Sequence, residues 1–320
     1  MKVYVKTPAR LHLGLIDLNG DLGRIFGGLG VGISRPNVIL EAQQSKRFTV
    51  SGEKAEVVKA LAKRFFEAYH IQPNVSLFVK QTIPEHVGLG SGTQLALAVA
   101  AALAKLSNVK ASTQELAIVM ERGQRTGVGT AIFEQGGFVV DGGKIVKNGS
   151  CLSKFPTLIL RKSFPEHWRF VVAVPSTSMG LAGEQEKLAF KQLPQMPTEN
   201  AGKICRLIIM KLLPALIECD IKSFGDALIQ IQMTVGENFS GVQGGRYFHA
   251  SIAEGVEFMR KLGAYGVGQS SWGPTFYGLL EKEEAREAQR NVQAYLEKSF
   301  HGDVFIAKPN NRGAYIKLIK

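Results

Sequence analysis

The chain has few cysteines, no long apolar run and no block of like charges. Its three cysteines lie far apart, with no Cys-x-x-Cys spacing, which excludes a disulfide framework and a cysteine zinc site. We expect them to be reduced thiols that behave as small buried apolar residues. The longest apolar run, 95–104, is well short of the roughly 20 residues that span a bilayer, and the first residues lack a secretion signal. The sequence therefore predicts a cytoplasmic protein without a membrane partner.

Basic residues are in excess, but they are scattered. Lys and Arg number 39 against 27 Asp and Glu, a net charge of +12, and no run of five like charges occurs. Such a scattered excess is typical of a solvated surface. A site for a multiply phosphorylated small molecule is the second interpretation, and binding of duplex nucleic acid is the third. We expect no nucleic-acid partner.

Short β-rich runs that alternate with amphipathic stretches predict an α+β fold. We expect strands over 3–7, 37–42, 47–52 and 74–81, helices over 54–70, 94–106 and 112–121, a glycine-dense loop over 20–32, and a hairpin through 141–143. Helices dominate after residue 200, with a bend near Pro214. At roughly 150 residues a domain, the length predicts two domains, which we place at 1–155 and 156–320.

Glycine is abundant, with 35 residues, and its most informative cluster is PEHVGLGSGTQ at 84–94. This segment links a predicted strand to a buried alanine-rich helix. Glycines allow backbone N–H groups to converge on an anion, and the N-terminus of a helix adds a partial positive charge. A phosphate cradle and a tight strand-to-helix turn are both consistent with the spacing. The segment is neither a Walker A loop nor a dinucleotide fingerprint.

The same segment, Pro-x3-GLGS before an alanine-rich helix, resembles the phosphate loop of the GHMP kinase superfamily, which includes galactokinase, homoserine kinase and mevalonate kinase. ARLHLGL at 9–15 and GAYGVGQSSWGPTFYGL at 263–279 lie where that superfamily has its first and third motifs. The resemblance implies a two-domain fold, with a ribosomal-S5-like N-terminal half and a ferredoxin-like α/β sandwich as the C-terminal half.

Three longer strings are similar to the β-ribofuranosylaminobenzene 5′-phosphate synthase family within that superfamily. They are RLHLGLIDLNGDLGRIFGGLGVGI at 10–33, GVGTAIFEQGGFVVDGG at 127–143 and VGQSSWGPTFYG at 267–278. The family condenses 4-aminobenzoate or 4-hydroxybenzoate with phosphoribosyl pyrophosphate and releases CO2 and pyrophosphate, in tetrahydromethanopterin biosynthesis. The resemblance implies a pentosyltransferase that forms a C-glycoside from these small molecules. It also implies Mg2+ on the pyrophosphate, no organic cofactor, and a homodimer.

One position departs from the superfamily pattern. The kinases commonly read GLGSS, where the second serine helps to hold the magnesium of ATP. Here Gly92 takes that place and Thr93 follows it. The loss of the hydroxyl argues against phosphoryl transfer from ATP, although Thr93 is a partial substitute. An ATP-dependent small-molecule kinase is the alternative function.

The resemblance suggests four catalytic candidates. Arg10 and His12 alternate on one strand face, where Arg10 would pair with a phosphate and His12 would contact the substrate. Asp17 would bind magnesium or the ribose hydroxyls, and a role in forming a turn is its alternative. Glu134 stands between apolar residues, so we expect a buried strand in which the carboxylate contacts the amino group or the metal. A structural salt bridge is the alternative for Glu134.

Twelve further residues are candidates for binding the phosphates, the carboxylate or the aromatic ring. They are Arg24, Gly88, Gly90, Ser91, Gly92, Thr93, Gln94, Arg125, Arg246, Ser270, Ser271 and Trp272. Thr93 joins Asp17 as a candidate metal ligand. Trp272 would stack on the benzoate ring, and packing in an interdomain core is its alternative. Surface charge is the alternative for the three arginines.

Overall fold

The computed structural model describes residues 1–147, 150–176, 183–299 and 301–319. The strands are β1 (Lys2–Lys6), β2 (Ala9–Asp17), β3 (Arg24–Ile33), β4 (Ile39–Gln44), β5 (Thr49–Gly52), β6 (Val75–Gln81), β7 (Phe138–Asp141), β8 (Lys144–Lys147), β9 (Ser150–Cys151), β10 (Leu158–Lys162), β11 (Trp168–Pro175), β12 (Gly266–Gln269), β13 (Phe276–Glu281), β14 (Gly302–Ala307) and β15 (Tyr315–Ile319).

The helices confirm most of the predicted ones. They are α1 (Ala55–Tyr69), α2 (Ser91–Leu106), α3 (Thr113–Val119), α4 (Val128–Gln135), α5 (Gly183–Gln192), α6 (Thr198–Leu207), α7 (Leu213–Glu218), α8 (Ile221–Gln243), α9 (Ala250–Lys261) and α10 (Ala285–Ser299). A π-helical turn, Ile208–Leu212, joins α6 to α7 just before Pro214, at the predicted bend. Ser112 and Glu115 form the capping box expected before α3.

The first sheet has the order β15-β1-β4-β6-β5. Alternate residues of β1, Val3 and Val5, are fully buried, and α1 and α2 pack together, with α2 lying on β1 and β4. Strand β15 pairs with β1, and β10 pairs with β7 of the second sheet, so two strands after residue 156 join sheets of the first half. The division at 155 and 156 remains a prediction, and sheet pairing crosses it.

The second sheet has the order β10-β7-β3-β8-β9, and β2 also pairs with β3. Consecutive strands β7 and β8 do not pair with each other, because both pair with the same edge of β3 in one continuous register, with Asp141 opposite Gly28 and Lys144 opposite Ile25. The predicted hairpin through 141–143 is therefore wrong. Gly142 and Gly143 instead continue the chain along β3, and Gly143 adopts the left-handed conformation there with φ +61°.

The glycine-dense segment is a strand over most of its length, which corrects the predicted loop over 20–32. Gly28 and Gly30 of β3 share one face, and a Cβ on Gly28 would lie 2.9 Å from Thr126, just before α4. A Cβ on Gly30 would collide with the Val128 side chain in α4. The opposite face carries Leu29 and Val31, both fully buried. Glycine at alternate positions therefore lets α4 pack directly on the strand.

The third sheet has the order β12-β13-β11-β14, with all neighbours antiparallel. Helices α8, α9 and α10 pack on it, which gives a two-layer α/β sandwich in the C-terminal half. Together with the first two sheets and their helices, this arrangement confirms the predicted α+β fold.

Two further expectations concern burial and membranes. The three cysteines are free thiols, as expected, but all of them are exposed, so their predicted burial is wrong. Across the described ranges, no helix has both the length and the apolar character needed to cross a membrane.

Candidate active site

A cavity of about 1020 Å3 is lined by residues from both halves of the chain. Its volume is at the upper end of the range of about 300–1000 Å3 that is usual for small-molecule sites. The structure brings seven of the predicted site residues to its wall: Arg10, His12, Thr93, Arg125, Arg246, Ser271 and Trp272. These residues come from all three superfamily-like motifs, from the segment before α4 and from the loop after α8. The cavity is therefore the candidate active site.

The charge of the cavity wall is mainly positive. Its basic residues are Arg10, Arg122, Arg125, Lys144 and Arg246. Its acidic residues are Glu121 and Glu186, and both are paired with arginine, Glu121 with Arg64 at 3.0 Å and Glu186 with Arg125 at 2.8 Å. This balance favours a ligand with several negative charges.

Arg10 connects two motifs at the cavity wall. Its Nη1 donates to the Gly88 carbonyl oxygen at 2.5 Å, and its backbone N–H donates to the Leu89 carbonyl at 3.1 Å. Burial lowers the Arg10 pKa to about 10, an effect that nearby Glu186 opposes. Arg10 therefore remains charged at neutral pH and ties the first motif to the glycine loop.

His12 lies beside Arg10 in the cavity and is neutral at physiological pH. Burial and, to a smaller extent, the positive charge of Arg10 lower its pKa to about 3. Its Nε2 is 3.5 Å from the Thr126 hydroxyl oxygen. His12 can therefore hydrogen-bond a ligand as a neutral imidazole, but it cannot serve as a protonated acid near pH 7.

The glycine loop places the N-terminus of α2 against the ligand space. Gly88 and Gly90 have φ of +88° and +81°, and the helix begins without a side-chain cap. The first helical bond is donated by the Gln94 N–H to the Gly90 carbonyl. The N–H groups that precede it lack a helical partner, which is the arrangement that binds anions. Thr93 of this turn lines the cavity.

Ser91 and Gly92 face a second, smaller cavity of about 50 Å3 together with Arg122. Arg122 also lines the main cavity, so it stands between the two spaces. Its buried Nε has no hydrogen-bond partner in the described part of the chain. Burial lowers the Arg122 pKa, and the neighbouring Arg64 adds to this effect while Glu121 opposes it. An arginine with an unused buried donor is suited to receive a phosphate oxygen.

Three aromatic rings form another part of the wall. The Trp272 ring lies 5.4 Å from Phe190 at an interplanar angle of 30°, and 5.1 Å from Phe239 at 79°. The Arg125 guanidinium lies 3.8 Å from the centre of the Phe190 ring and is thus held between that ring and Glu186. Trp272 packs against its neighbours and also lines the cavity, and its stacking on the benzoate ring stays a prediction.

Ser270 is fully buried behind this wall and joins the motifs. Its hydroxyl donates to the Gly88 carbonyl at 2.6 Å and accepts from the His12 backbone N–H at 2.9 Å. Ser271, the next residue, lines the cavity with φ +58°. The backbone of all three motifs is therefore held together by one side chain.

The comparisons with known proteins agree with this arrangement. Residues 56–141 match the GHMP kinases N terminal domain, and residues 212–298 match the GHMP kinases C terminal domain. A β-ribofuranosylphenol 5′-phosphate synthase of Archaeoglobus fulgidus is 34% identical over 98% of this chain and 99% of its own length. The chain belongs to the β-ribofuranosylphenol 5′-phosphate synthase family, within the GHMP kinase superfamily.

A second relative supports the family, and a solved structure supports the fold. The synthase of that name from Methanothermobacter thermautotrophicus is 31% identical over 99% of each chain. The crystal structure of homoserine kinase from Cytophaga hutchinsonii superposes with a TM-score of 0.71 at 17% identity, covering 99% of this chain and 97% of the kinase. The fold is therefore that of the GHMP kinases, as the three motifs implied.

Several of the predicted site residues lie outside the cavity wall. Asp17 Oδ1 accepts hydrogen bonds from the backbone N–H groups of Asn19 and Gly20, at 2.6 and 3.1 Å, so it forms the turn after β2. Gln94 is fully buried and donates to the Gly129 carbonyl at 2.9 Å, because the first turn of α2 points it towards the first turn of α4.

Arg24 and Glu134 also lie away from the cavity wall. The Arg24 guanidinium donates to the carbonyl oxygens of Gly142 and Gly143, at 2.7 and 3.0 Å, so its donors are used by the protein. Glu134 is exposed near the end of α4, and its predicted burial in a strand is wrong. The apolar neighbours of Glu134 follow the helical period, which turns the carboxylate to solvent.

Sequence reasoning missed several residues of the cavity. Arg122 lies three residues before Arg125, and this spacing could have indicated a second arginine on the same wall. Lys144 and Glu186 carry no comparable local signal. Phe190 and Phe239 reach the cavity from α5 and α8 of the second half, and only the packing of these helices brings the two rings together.

Proposed function

We propose that this protein condenses 4-aminobenzoate or 4-hydroxybenzoate with phosphoribosyl pyrophosphate, releasing CO2 and pyrophosphate, in the cytoplasmic synthesis of tetrahydromethanopterin. The observation that carries the proposal is one cavity that joins the N-terminus of α2, several arginines and an aromatic wall. A phosphorylated sugar and a benzoate need these three features together. The near full-length similarity to named β-ribofuranosylphenol 5′-phosphate synthases supports it.

The reaction balances without an added acid or base. The ring carbon that carries the carboxylate forms a bond to the anomeric carbon while the bond to pyrophosphate breaks. The bond from that ring carbon to the carboxylate then breaks, and its electron pair restores the aromatic ring as CO2 leaves. A neutral His12 is consistent with this sequence, because no proton is transferred to or from carbon.

The residues around the leaving group act through charge. Arg10, Arg122 and the N-terminus of α2 would stabilise the departing pyrophosphate, and this stabilisation grows as the bond to the anomeric carbon breaks. Trp272 with Phe190 would orient the benzoate so that its ring carbon faces the sugar. The protein would thus accelerate the reaction mainly by orienting the two substrates and by stabilising the charge of the leaving group.

Magnesium fits this site as part of the substrate. No group of three or more His, Cys, Asp or Glu in the described ranges is placed to hold a metal ion. The Asp17 carboxylate is used by a turn, whereas Thr93 lines the cavity. We propose that Mg2+ enters on the pyrophosphate group, where it neutralises charge, and that Thr93 supports it. We propose no organic cofactor, and a homodimer as the assembly.

The deciding experiment uses 4-aminobenzoate and 4-hydroxybenzoate labelled with 14C in the carboxyl group. Each is incubated with phosphoribosyl pyrophosphate, Mg2+ and the purified protein, and released 14CO2 is counted. We expect release that requires phosphoribosyl pyrophosphate and matches the pyrophosphate formed. No release with either benzoate would overturn the proposal.

The alternative, an ATP-dependent small-molecule kinase, is less well supported. The small cavity beside Ser91 and Gly92 has about 50 Å3, room for one or two water molecules and far below the size of usual ligand pockets. Gly92 also lacks the hydroxyl of the kinase pattern. Formation of ADP from ATP and an alcohol, with no 14CO2 release, would favour the kinase.

A further inference from the structure

Lys144 is a buried cation at the cavity wall that sequence reasoning did not identify. It begins β8, is 7% exposed and lines the main cavity. Within the described ranges, no hydrogen bond or ion pair of its ammonium group occurs. The side chain is therefore largely packed in the protein, while its ammonium group lies at the cavity wall without a partner among the described residues. An unpaired cation at the wall of a cavity of this size favours a negatively charged ligand.

The backbone before Lys144 is held in place from two sides. Arg24 donates to the Gly142 and Gly143 carbonyl oxygens, at 2.7 and 3.0 Å. The Asp141 carboxylate accepts from the N–H groups of Gly143 and Gly127, at 2.9 and 3.0 Å. Both charged side chains are thus used by the backbone, and neither neutralises Lys144. The turn fixes the position from which the ammonium group extends.

We propose that Lys144 binds the 5′-phosphate of the ribosyl substrate, in a subsite separate from the N-terminus of α2. This inference rests on the proposed function. The two phosphate groups of phosphoribosyl pyrophosphate are attached to opposite ends of the ribose, so they need two cationic places. Strand β8 pairs with β3 and β9, whereas α2 packs on α1, α3 and α4. Lys144 and the glycine loop are therefore carried by different elements of one cavity.

The benzoate carboxylate is a poorer match for Lys144. This carboxylate must leave as CO2, and a fixed cation beside it would stabilise the ground state more than the transition state. A phosphate monoester keeps its charge throughout the reaction. A lysine that holds it contributes uniform binding, which positions the sugar.

The test compares Lys144→Met with Lys147→Met. Lys147 is on the same strand but exposed, so it controls for loss of one charge from β8. Calorimetry on the full chain measures binding of two probes, ribose 5-phosphate and inorganic pyrophosphate with Mg2+. We expect Lys144→Met to weaken ribose 5-phosphate binding about ten- to hundredfold and to leave pyrophosphate binding within about twofold. Lys147→Met should leave both unchanged, and Lys144→Arg should restore part of the loss.

A second measurement needs no variant and covers the case in which Lys144→Met does not fold. The native protein is acetylated with and without ribose 5-phosphate, and modification of each lysine is read by mass spectrometry. We expect ribose 5-phosphate to protect Lys144 and not Lys147. Equal protection, or equal binding by both methionine variants, would overturn the inference. So would a loss of pyrophosphate binding in place of ribose 5-phosphate binding.

The experiments distinguish a failure of the proposed function from a failure of the Lys144 subsite. If the native protein releases 14CO2 and Lys144 is not protected, the proposed function stands and the 5′-phosphate subsite is wrong. If Lys144 is protected but no 14CO2 is released with either benzoate, the subsite stands as a sugar-phosphate site and the proposed function is wrong.

Discussion

The hydroxyl group of Ser270 donates a hydrogen bond to the carbonyl oxygen of Gly88 at 2.6 Å, across 182 positions of the chain. The same hydroxyl accepts from the backbone N–H of His12. One small side chain therefore sets the spacing between the glycine loop, the first motif and the third motif. The geometry of the cavity depends on this spacing, because each motif contributes residues to the wall.

Ser270→Ala tests this link. The His12 N–H would lose its acceptor in a buried site, which costs about 1–3 kcal/mol of unfolding free energy. We expect a lower urea midpoint and a higher KM for phosphoribosyl pyrophosphate. Ser240→Ala is the control, because the Ser240 hydroxyl donates to the Glu237 carbonyl of its own helix. Equal midpoints and KM values for the two variants would contradict the role of Ser270.

Gly90→Ala tests the close approach of the glycine loop to Arg10. Gly90 has φ +81°, and a Cβ there would lie 2.8 Å from Arg10 Cγ. We expect a loss of about 1–2 kcal/mol of stability from the left-handed conformation. We also expect kcat/KM to fall at least about tenfold, about 1.4 kcal/mol of transition-state stabilisation, because Arg10 must shift.

Gly202→Ala is the matched control for Gly90→Ala. Gly202 lies within α6, and a Cβ there would meet nothing within 4 Å. We expect the alanine at 202 to keep full activity and to stabilise the protein slightly, because it restricts the unfolded chain. If both glycine variants retain native kcat/KM, Arg10 does not need the space that Gly90 leaves.

His12 and Asp141 should give opposite pH dependences of stability. Burial lowers the His12 pKa to about 3, below its unfolded value near 6.5, so the stability it contributes is lost as pH falls below about 6.5. Burial raises the Asp141 pKa to about 7, against the opposing effect of its bonds to backbone N–H groups. Its protonated form favours the folded state, so its stabilisation is lost as pH rises from about 4 to 7.

Variants at His12 and Asp141 separate the two contributions to the pH dependence of the unfolding free energy. Between about pH 4.5 and 6, each group changes the unfolding free energy by about 1.4 kcal/mol per pH unit, with opposite sign. Relative to the native protein, His12→Asn should therefore lose stability as pH rises across this window, and Asp141→Asn should gain it. Chemical denaturation at several pH values measures both. Parallel pH profiles for the native protein and both variants would show that neither pKa is shifted.

Trp272→Leu tests the aromatic wall. Loss of the ring removes stacking worth about 1 kcal/mol beyond buried area, so we expect the KM for the benzoate to rise about fivefold. The KM for phosphoribosyl pyrophosphate should change little. Trp168→Phe is the control, because Trp168 is buried against Phe164 and Phe224 and does not line the cavity. An unchanged KM for the benzoate in Trp272→Leu would contradict stacking on this residue.

Local patterns in the sequence determined much of the fold and the centre of the site. The Ser112–Glu115 capping box and the apolar period of α1 act within a few residues, so they could be read directly. The three motifs likewise pointed to Arg10, Thr93 and Trp272, which the structure places on one wall.

Only the tertiary structure decided the partners of the remaining residues. Gly28 and Gly30 looked like a loop, yet they form a strand because α4 packs on their bare face. Arg24 looked like a phosphate ligand, yet its donors bind backbone carbonyls of a turn more than a hundred residues away. Lys144 gave no local signal at all. Such roles depend on which distant backbone groups need a partner, and only the assembled chain shows where those groups lie.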